Sequence, residues 1–155
     1  MCIIIDTNTL AVVFDTGTIN HRQFQPVNEW VLNGTGKIVF GGTKYIGELK
    51  KYLKIFIELK KANRAVHVDD QLVDAEELLV SAQLQHADFD DQHLVALLRV
   101  SGCQLICSLD ARAYPYFKHE LFFKPAANRP RIYSGLRNRG LLTTRHIAAI
   151  CQRQN

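Results

Sequence analysis

Several things are scarce in this 155-residue chain, and each scarcity removes a class of protein. No apolar run approaches the ~20 residues that a membrane span needs, so no span is expected. The first residues, Met1-Cys2-Ile3-Ile4-Ile5-Asp6, lack the basic start, apolar middle and cleavage site of a signal peptide, which predicts a cytoplasmic protein. There are only four cysteines, Cys2, Cys103, Cys107 and Cys151, and none forms a CxxC pair. Reduced thiols acting as small hydrophobes are therefore expected, rather than disulfides or zinc. The six histidines (His21, His67, His86, His93, His119, His146) keep no metal-ligand spacing and read as ordinary surface or half-buried residues. Ser81 and Ser134 have no nucleophile-elbow context.

Acids are nearly missing from the last third. Residues 111–155 hold nine Lys/Arg and one acid, Glu120, whereas residues 65–91 hold eight of the 15 acids. That asymmetry suits a polyanion engaged by one part of the surface. Arg112, Lys118, Arg129, Arg131, Arg137 and Arg139 are the candidate phosphate contacts, and Arg112 leads them because it follows Asp110 so closely. With 47% hydrophobic and 22% charged residues, the chain can bury its own core as one domain over 1–155, with a basic C-terminal stretch from about 120.

Short β-branched runs alternate with amphipathic ones. CIII at 2–5, KIVF at 37–40, AVHV at 65–68 and QLIC at 104–107 predict strands, with a further short one at Ile132–Tyr133. Helices are expected over 10–14, from about 20 to 33, as one long element over 43–61, over 69–85 and 89–101, and shorter over 110–119 and 141–153. In the 69–85 helix, Leu72, Ala75, Leu79 and Ala82 are expected to face inward. The alternation predicts a three-layer α/β/α sandwich with a mostly parallel central sheet.

Two strands end in an acid, CIII-Asp6 and LICSL-Asp110. The carboxyl ends of strands are where ligands bind in such sheets. Glu48 follows the second strand closely, and Asp88, Asp90 and Asp91 open the helix before the fourth. Asp88 is expected as the helix N-cap, Asp91 points inward on the face of Leu94 and Leu98, and Asp90 is the substitute. Crowded carboxylates repel, so such a cluster shares protons or binds a cation, and oxygen donors of this kind suit Mg²⁺ or Mn²⁺.

IIIDTN at 3–8, IVFGGTKYIGEL at 38–49, DDQHLVALLRVSG at 90–102 and LICSLDARAY at 105–114 together resemble the PIN-domain nucleases over almost the whole chain. RPRIYSG at 129–135 is similar to a tail found in some members. The resemblance implies Asp6, Glu48, Asp91 and Asp110 as ligands of Mg²⁺ or Mn²⁺, supported by Asn8 and Ser108. It also implies a metal-dependent endoribonuclease acting on single-stranded RNA. Many bacterial members are toxins held inactive by a small antitoxin, and they are commonly dimeric. The sequence departs from the pattern at Arg112, where some members carry a further acid, and at the bulky Leu109.

Two other functions fit parts of the chain. A catalytically inert PIN-like RNA-binding or interaction domain would keep the basic face and need no ordered carboxylates. Asp15-Thr16-Gly17 is similar to the motif of aspartic proteases, in which two aspartates share a proton. That motif occurs once in a chain with at least four helical periodicities, so a helix-to-helix turn with Gly17 at positive φ is expected instead.

Overall fold

The computed structural model describes residues 1–145 and 148–152. His146 and Arg153 lie outside the described residues, as does the end of the helix expected over 141–153. The strands are β1 (Cys2–Ile5), β2 (Lys37–Gly41), β3 (Ala65–Val68), β4 (Leu105–Cys107) and β5 (Arg131–Tyr133). They form one sheet in the order β3-β2-β1-β4-β5, and every pairing is parallel. β1 is buried throughout, as an inner strand covered on both faces must be.

The helices are α1 (Leu10–Phe14), α2 (His21–Leu32), α3 (Thr43–Leu49), α4 (Leu53–Lys61), α5 (Asp70–Gln83), α6 (Gln92–Ser101), α7 (Tyr114–Phe117) and α8 (Ala149–Gln152). On one face Phe14 of α1 meets Phe56 of α4 edge-on at 6.0 Å, and Phe56 meets Phe40 of β2 at 5.4 Å. α5 and α6 pack together over the other face, giving the three-layer α/β/α sandwich. All four cysteines are free and buried. Among the described residues no helix is long and apolar enough to cross a membrane.

Glycine is needed at two sharp points. Gly102 closes α6 in the left-handed conformation (φ 69°), which costs a residue without Cβ little. Gly42 opens α3 at φ 92°, and a Cβ there would meet Val73 of α5 at 2.6 Å.

Four expectations are corrected. The long helix over 43–61 is two helices, because Lys50 turns to φ 51°, ψ −121° and a 3₁₀ turn (Lys50–Tyr52) intervenes. Beyond the break Phe56 and Leu59 are the buried residues of α4, and Ile57 is 41% exposed. On α5 the buried residues are Val73 and Val80, while Leu72, Ala75, Leu79 and Ala82 face solvent. The helix carries two apolar stripes, and the β-branched one is the buried one. The helix expected over 110–119 shrinks to α7. Gly17 has no positive φ, and the basic C-terminal stretch contributes β5 to the sheet.

Lys50 is an exposed non-glycine residue held in a glycine-favoured region. Strain of this kind is worth ~1–3 kcal/mol. Lys50→Gly is therefore expected to stabilise the protein by about 1 kcal/mol in denaturant unfolding, and a loss of stability would refute the strain.

Candidate functional site

In the order β3-β2-β1-β4-β5 the chain reverses direction across the sheet between β1 and β4. Ligands of open α/β sheets bind beyond the carboxyl ends of the strands at such a switch point. Asp6 follows β1 and Ser108 follows β4, so the two meet there. The Ser108 hydroxyl donates to Asp6 Oδ2 at 2.7 Å and accepts the Asp110 backbone N–H at 3.1 Å. One serine thus ties the two strand ends together and sets the start of the Asp110 loop. Asp6 is buried, and its other partner is the backbone N–H of Asn8 at 3.5 Å. An acid directly after CIII does have a local role: it caps the 3₁₀ turn of Thr7–Thr9. None of its partners is cationic.

Glu48 reaches the same edge from α3. Its Oε2 accepts from the Thr7 hydroxyl at 2.8 Å and lies 3.4 Å from Nε2 of His93. Neither neighbouring lysine pairs with it: Lys44 donates to the Asp90 carbonyl at 3.2 Å, and Lys51 lies 3.7 Å from Asp15. Asp91 occupies the N-cap position of α6 but makes no side-chain capping bond, so its carboxylate is free for another use. Asp88 is not the cap. It is exposed, with its carboxylate 3.9 Å from His86. Asp90 is exposed beside it. Asp110 accepts the Arg112 backbone N–H at 3.2 Å, and the Arg112 guanidinium stands 3.6 Å from it.

The electrostatics join these acids into one group. Burial raises the Asp6 carboxyl above its ordinary value, and Asp110 and Glu48 push it further, against the pull of Ser108 and Asn8. Burial pushes Asp91 up to about 7, with Asp6, Asp90, Asp110 and Glu48 adding to the shift. Glu77 of α5 is raised by burial too, and it feels Asp74 and Glu48. A field in which each carboxylate disfavours the charge of the next is relieved by protons or by a cation.

The donors fit a hard cation by chemistry: oxygen ligands from four elements, the buried one without a cationic partner. As placed, no three His, Cys, Asp or Glu side chains among the described residues stand in an arrangement that could hold a metal ion.

Several residues of the site escaped sequence reasoning. His93 is only 2% exposed, and neither ring nitrogen has a hydrogen-bond partner, unlike the ordinary histidine expected there. Burial lowers its pKa, with Glu48 opposing. Tyr45 lies fully buried beneath the site and donates to the Ile5 carbonyl at 2.6 Å. Tyr114 donates to the Ser108 carbonyl at 2.6 Å and so braces the β4 end. The signals were present only as hydroxyls next to motif acids, as at Thr7. Asn8, expected as a supporting polar group, contributes its backbone N–H, and its side chain is exposed.

The six basic candidates divide. Arg112 stands against Asp110, and Lys118 and Arg137 line an adjoining cleft of about 400 Å³ with Tyr114, Pro115 and Ile132. Arg131 starts β5 opposite Leu105, at the far end of the sheet, and Arg129 lines a hollow there with Met1 and Gln104. Arg139 borders a groove with Pro26, Glu29 and Trp30 of α2. Only the first three can therefore serve the carboxylate edge.

Asp15 of the Asp15-Thr16-Gly17 turn accepts from the Tyr52 hydroxyl at 2.6 Å. No second such motif accompanies it. Comparison with protein-family models, with curated proteins and with solved structures finds no match in any of the three.

Proposed function

We propose that this chain is a PIN-like, metal-dependent endoribonuclease that hydrolyses single-stranded RNA. The observation that carries the reading is that Asp6, Glu48, Asp91 and Asp110 lie along one sheet edge within electrostatic reach of one another, where burial first and the neighbouring acids second push Asp91 up to about 7. Asp6, Glu48, Asp91 and Asp110 are the residues that would hold Mg²⁺ or Mn²⁺. When bound, such an ion lowers the pKa of a water and stabilises the oxyanions of a displacement at phosphorus.

The chain's own residues prepare that chemistry. Ser108 holds Asp6 in one rotamer across the β1–β4 junction, and Thr7 does the same for Glu48. Tyr45 and Tyr114 fix the backbone on either side through the Ile5 and Ser108 carbonyls. Asp91 is the carboxylate best placed to take a proton near neutral pH. Lys118 and Arg137 offer cations in the adjoining cleft for the phosphates of a strand passing the site. A small antitoxin partner belongs to the same proposal, as a protein that would cover this edge.

The second reading, an inert RNA-binding domain, draws on Arg112, whose guanidinium already partly neutralises Asp110 where a cation would be needed. One assay separates the two. The chain is incubated with a single-stranded RNA in Mn²⁺, with and without EDTA. EDTA-sensitive cleavage is expected. Salt-sensitive binding without cleavage would establish the inert domain and sink the nuclease.

A further inference from the structure

Every strand of the sheet is parallel, so its two ends differ in kind. Acids gather beyond the carboxyl ends of the strands. The amino ends carry cations: Lys37 and Arg131 begin β2 and β5, and Arg64 directly precedes β3. Helices that return across a parallel sheet finish at this end, and a cation there can serve their last carbonyls. Arg64 does so, donating to the Val31 and Gly34 carbonyls at 3.0 and 2.9 Å where α2 finishes. Lys37 likewise donates to the Cys151 carbonyl of α8 at 3.2 Å.

Lys124, Arg129 and Arg131 are not engaged in this way. All three are exposed, and among the described residues none pairs with an acid. Arg129 and Arg131 line one hollow of about 340 Å³ with Gln104 and Asn128. Lys124 lines a second, of about 270 Å³, and the same two amides form the wall between them. No Asp or Glu lines either hollow. The local backbone accounts for the arrangement. Arg129 is extended (φ −66°, ψ 129°), Pro130 is buried, and the Arg131 N–H is tied to the Gln104 carbonyl at 2.9 Å. Residues two apart on an extended backbone project to the same side, so the two arginines share one hollow, and the proline fixes the segment between them. The Asn128 side chain donates to the Lys124 carbonyl at 2.9 Å and closes the turn that sets Lys124 beside them.

We infer that the two hollows form one site for a di- or triphosphate chain, at the end of the sheet opposite the carboxylates. The chemistry selects the ligand. Guanidiniums take phosphate oxygens through paired, charge-assisted hydrogen bonds. Three cations with no acid among them match a chain of phosphates better than a single carboxylate, and the Gln104 and Asn128 amides can donate to further oxygens. Met1, which also lines the larger hollow, stands at the other end of β1 from Asp6, five residues and ~16 Å away. The site is therefore separate from the carboxylate edge, and the inference does not rest on the proposed nuclease activity. A phosphate chain of this kind has two sources, a free nucleotide and the 5′ end of an RNA.

Titration calorimetry of the full chain with inorganic tripolyphosphate, in buffer without added metal, tests the site. Binding is expected, and Arg129→Gln combined with Arg131→Gln is expected to weaken it roughly tenfold or more. Lys54→Gln combined with Lys60→Gln removes the same two charges from exposed positions on α4 and is expected to change it less than twofold. Absence of binding at ~1 mM tripolyphosphate, the weak end of specific affinity, would overturn the inference. So would equal losses in the two double variants, which would mark a response to net charge alone, or parent-like binding without Arg129 and Arg131. All four positions are exposed, and unchanged thermal unfolding is the control that the variants fold. A nucleoside 5′-triphosphate and a 5′-triphosphorylated RNA, each beside its 5′-hydroxyl form, then separate the sources. The one whose binding collapses without its phosphates is the ligand, and if neither collapses the inference fails.

Discussion

Asp6→Asn is expected to lower Mn²⁺-dependent cleavage of single-stranded RNA by about 10³-fold or more, and to stabilise the metal-free protein at the same time. The two effects have one origin. Asp6 is a buried carboxylate with two hydrogen-bond partners and no cation, and burial already raises its proton affinity. The charge is therefore a cost to the fold and an asset only when it faces a cation. An asparagine keeps the oxygen that receives the Ser108 hydroxyl and removes the charge, giving up only the long 3.5 Å bond from the Asn8 backbone N–H. The gain in stability is on the order of 1 kcal/mol, the scale of relieving one unfavourably buried polar group. The loss of rate reflects several kcal/mol of charge stabilisation absent from the transition state. Cleavage is followed by gel assay, and unfolding is followed in EDTA. A variant both active and destabilised would refute the assignment of Asp6, since it would show the carboxylate serving the fold alone.

The second large effect concerns pH. Asp91 is pushed from its ordinary 3.8 up to about 7, chiefly by burial. A carboxyl whose folded-state pKa is raised gives its full share of stability below its unfolded pKa. That share is lost as pH rises through the folded value. Between pH ~4 and ~7 the unfolded chain has released this proton while the folded chain still holds it, so rising pH favours unfolding. With ~1.4 kcal/mol per unit and allowance for partial exposure, the loss is about 3 kcal/mol. Asp6 shifts in the same direction. Other carboxylates also titrate in this range, so the comparison with Asp91→Asn is the measurement. In EDTA the variant is expected to match the parent near pH 4 and to exceed it by about 3 kcal/mol at pH 8. Mn²⁺ should stabilise the parent at pH 8 and leave it unchanged at pH 5, where the ligand carries its proton. A stability difference that stays constant from pH 4 to pH 8 would sink the electrostatic account.

The carboxylate pair at the heart of the site was legible because position in a strand is readable. An acid directly after a run such as CIII or LICSL has only one place to go once the strands are parallel. What could not be read was which strands are neighbours. The pairing of β1 with β4 rather than β3 is a tertiary outcome, and with it comes the Ser108–Asp6 hydrogen bond. The phase of α5 was misread for a related reason. Leu72, Ala75, Leu79 and Ala82 make as good an apolar stripe as Val73 and Val80 do. The choice between them is made by packing against the rest of the fold, which buries Val73 and Val80. The break at Lys50 had no glycine or proline to announce it, and His93 sits in a run of apolar residues that marks helix, not chemistry. Arg131 was placed with the phosphate contacts because its strand's direction was unknown. Once β5 joins the sheet in parallel, its first residue lies at the wrong end.

The order of the strands also bears on when the chain can act during its own synthesis. β1 is made first, but the strand that completes its site is made fourth, and Ser108 lies 102 residues beyond Asp6. At ~5–20 residues per second, translation leaves Asp6 without its partner for roughly 5–20 s. Throughout that interval the nascent chain stays close to the messenger RNA that encodes it, with the site unassembled. An activity that needs Ser108 beside Asp6, as the proposed one does, would therefore begin only when nearly the whole fold has left the ribosome, a delay set by topology alone.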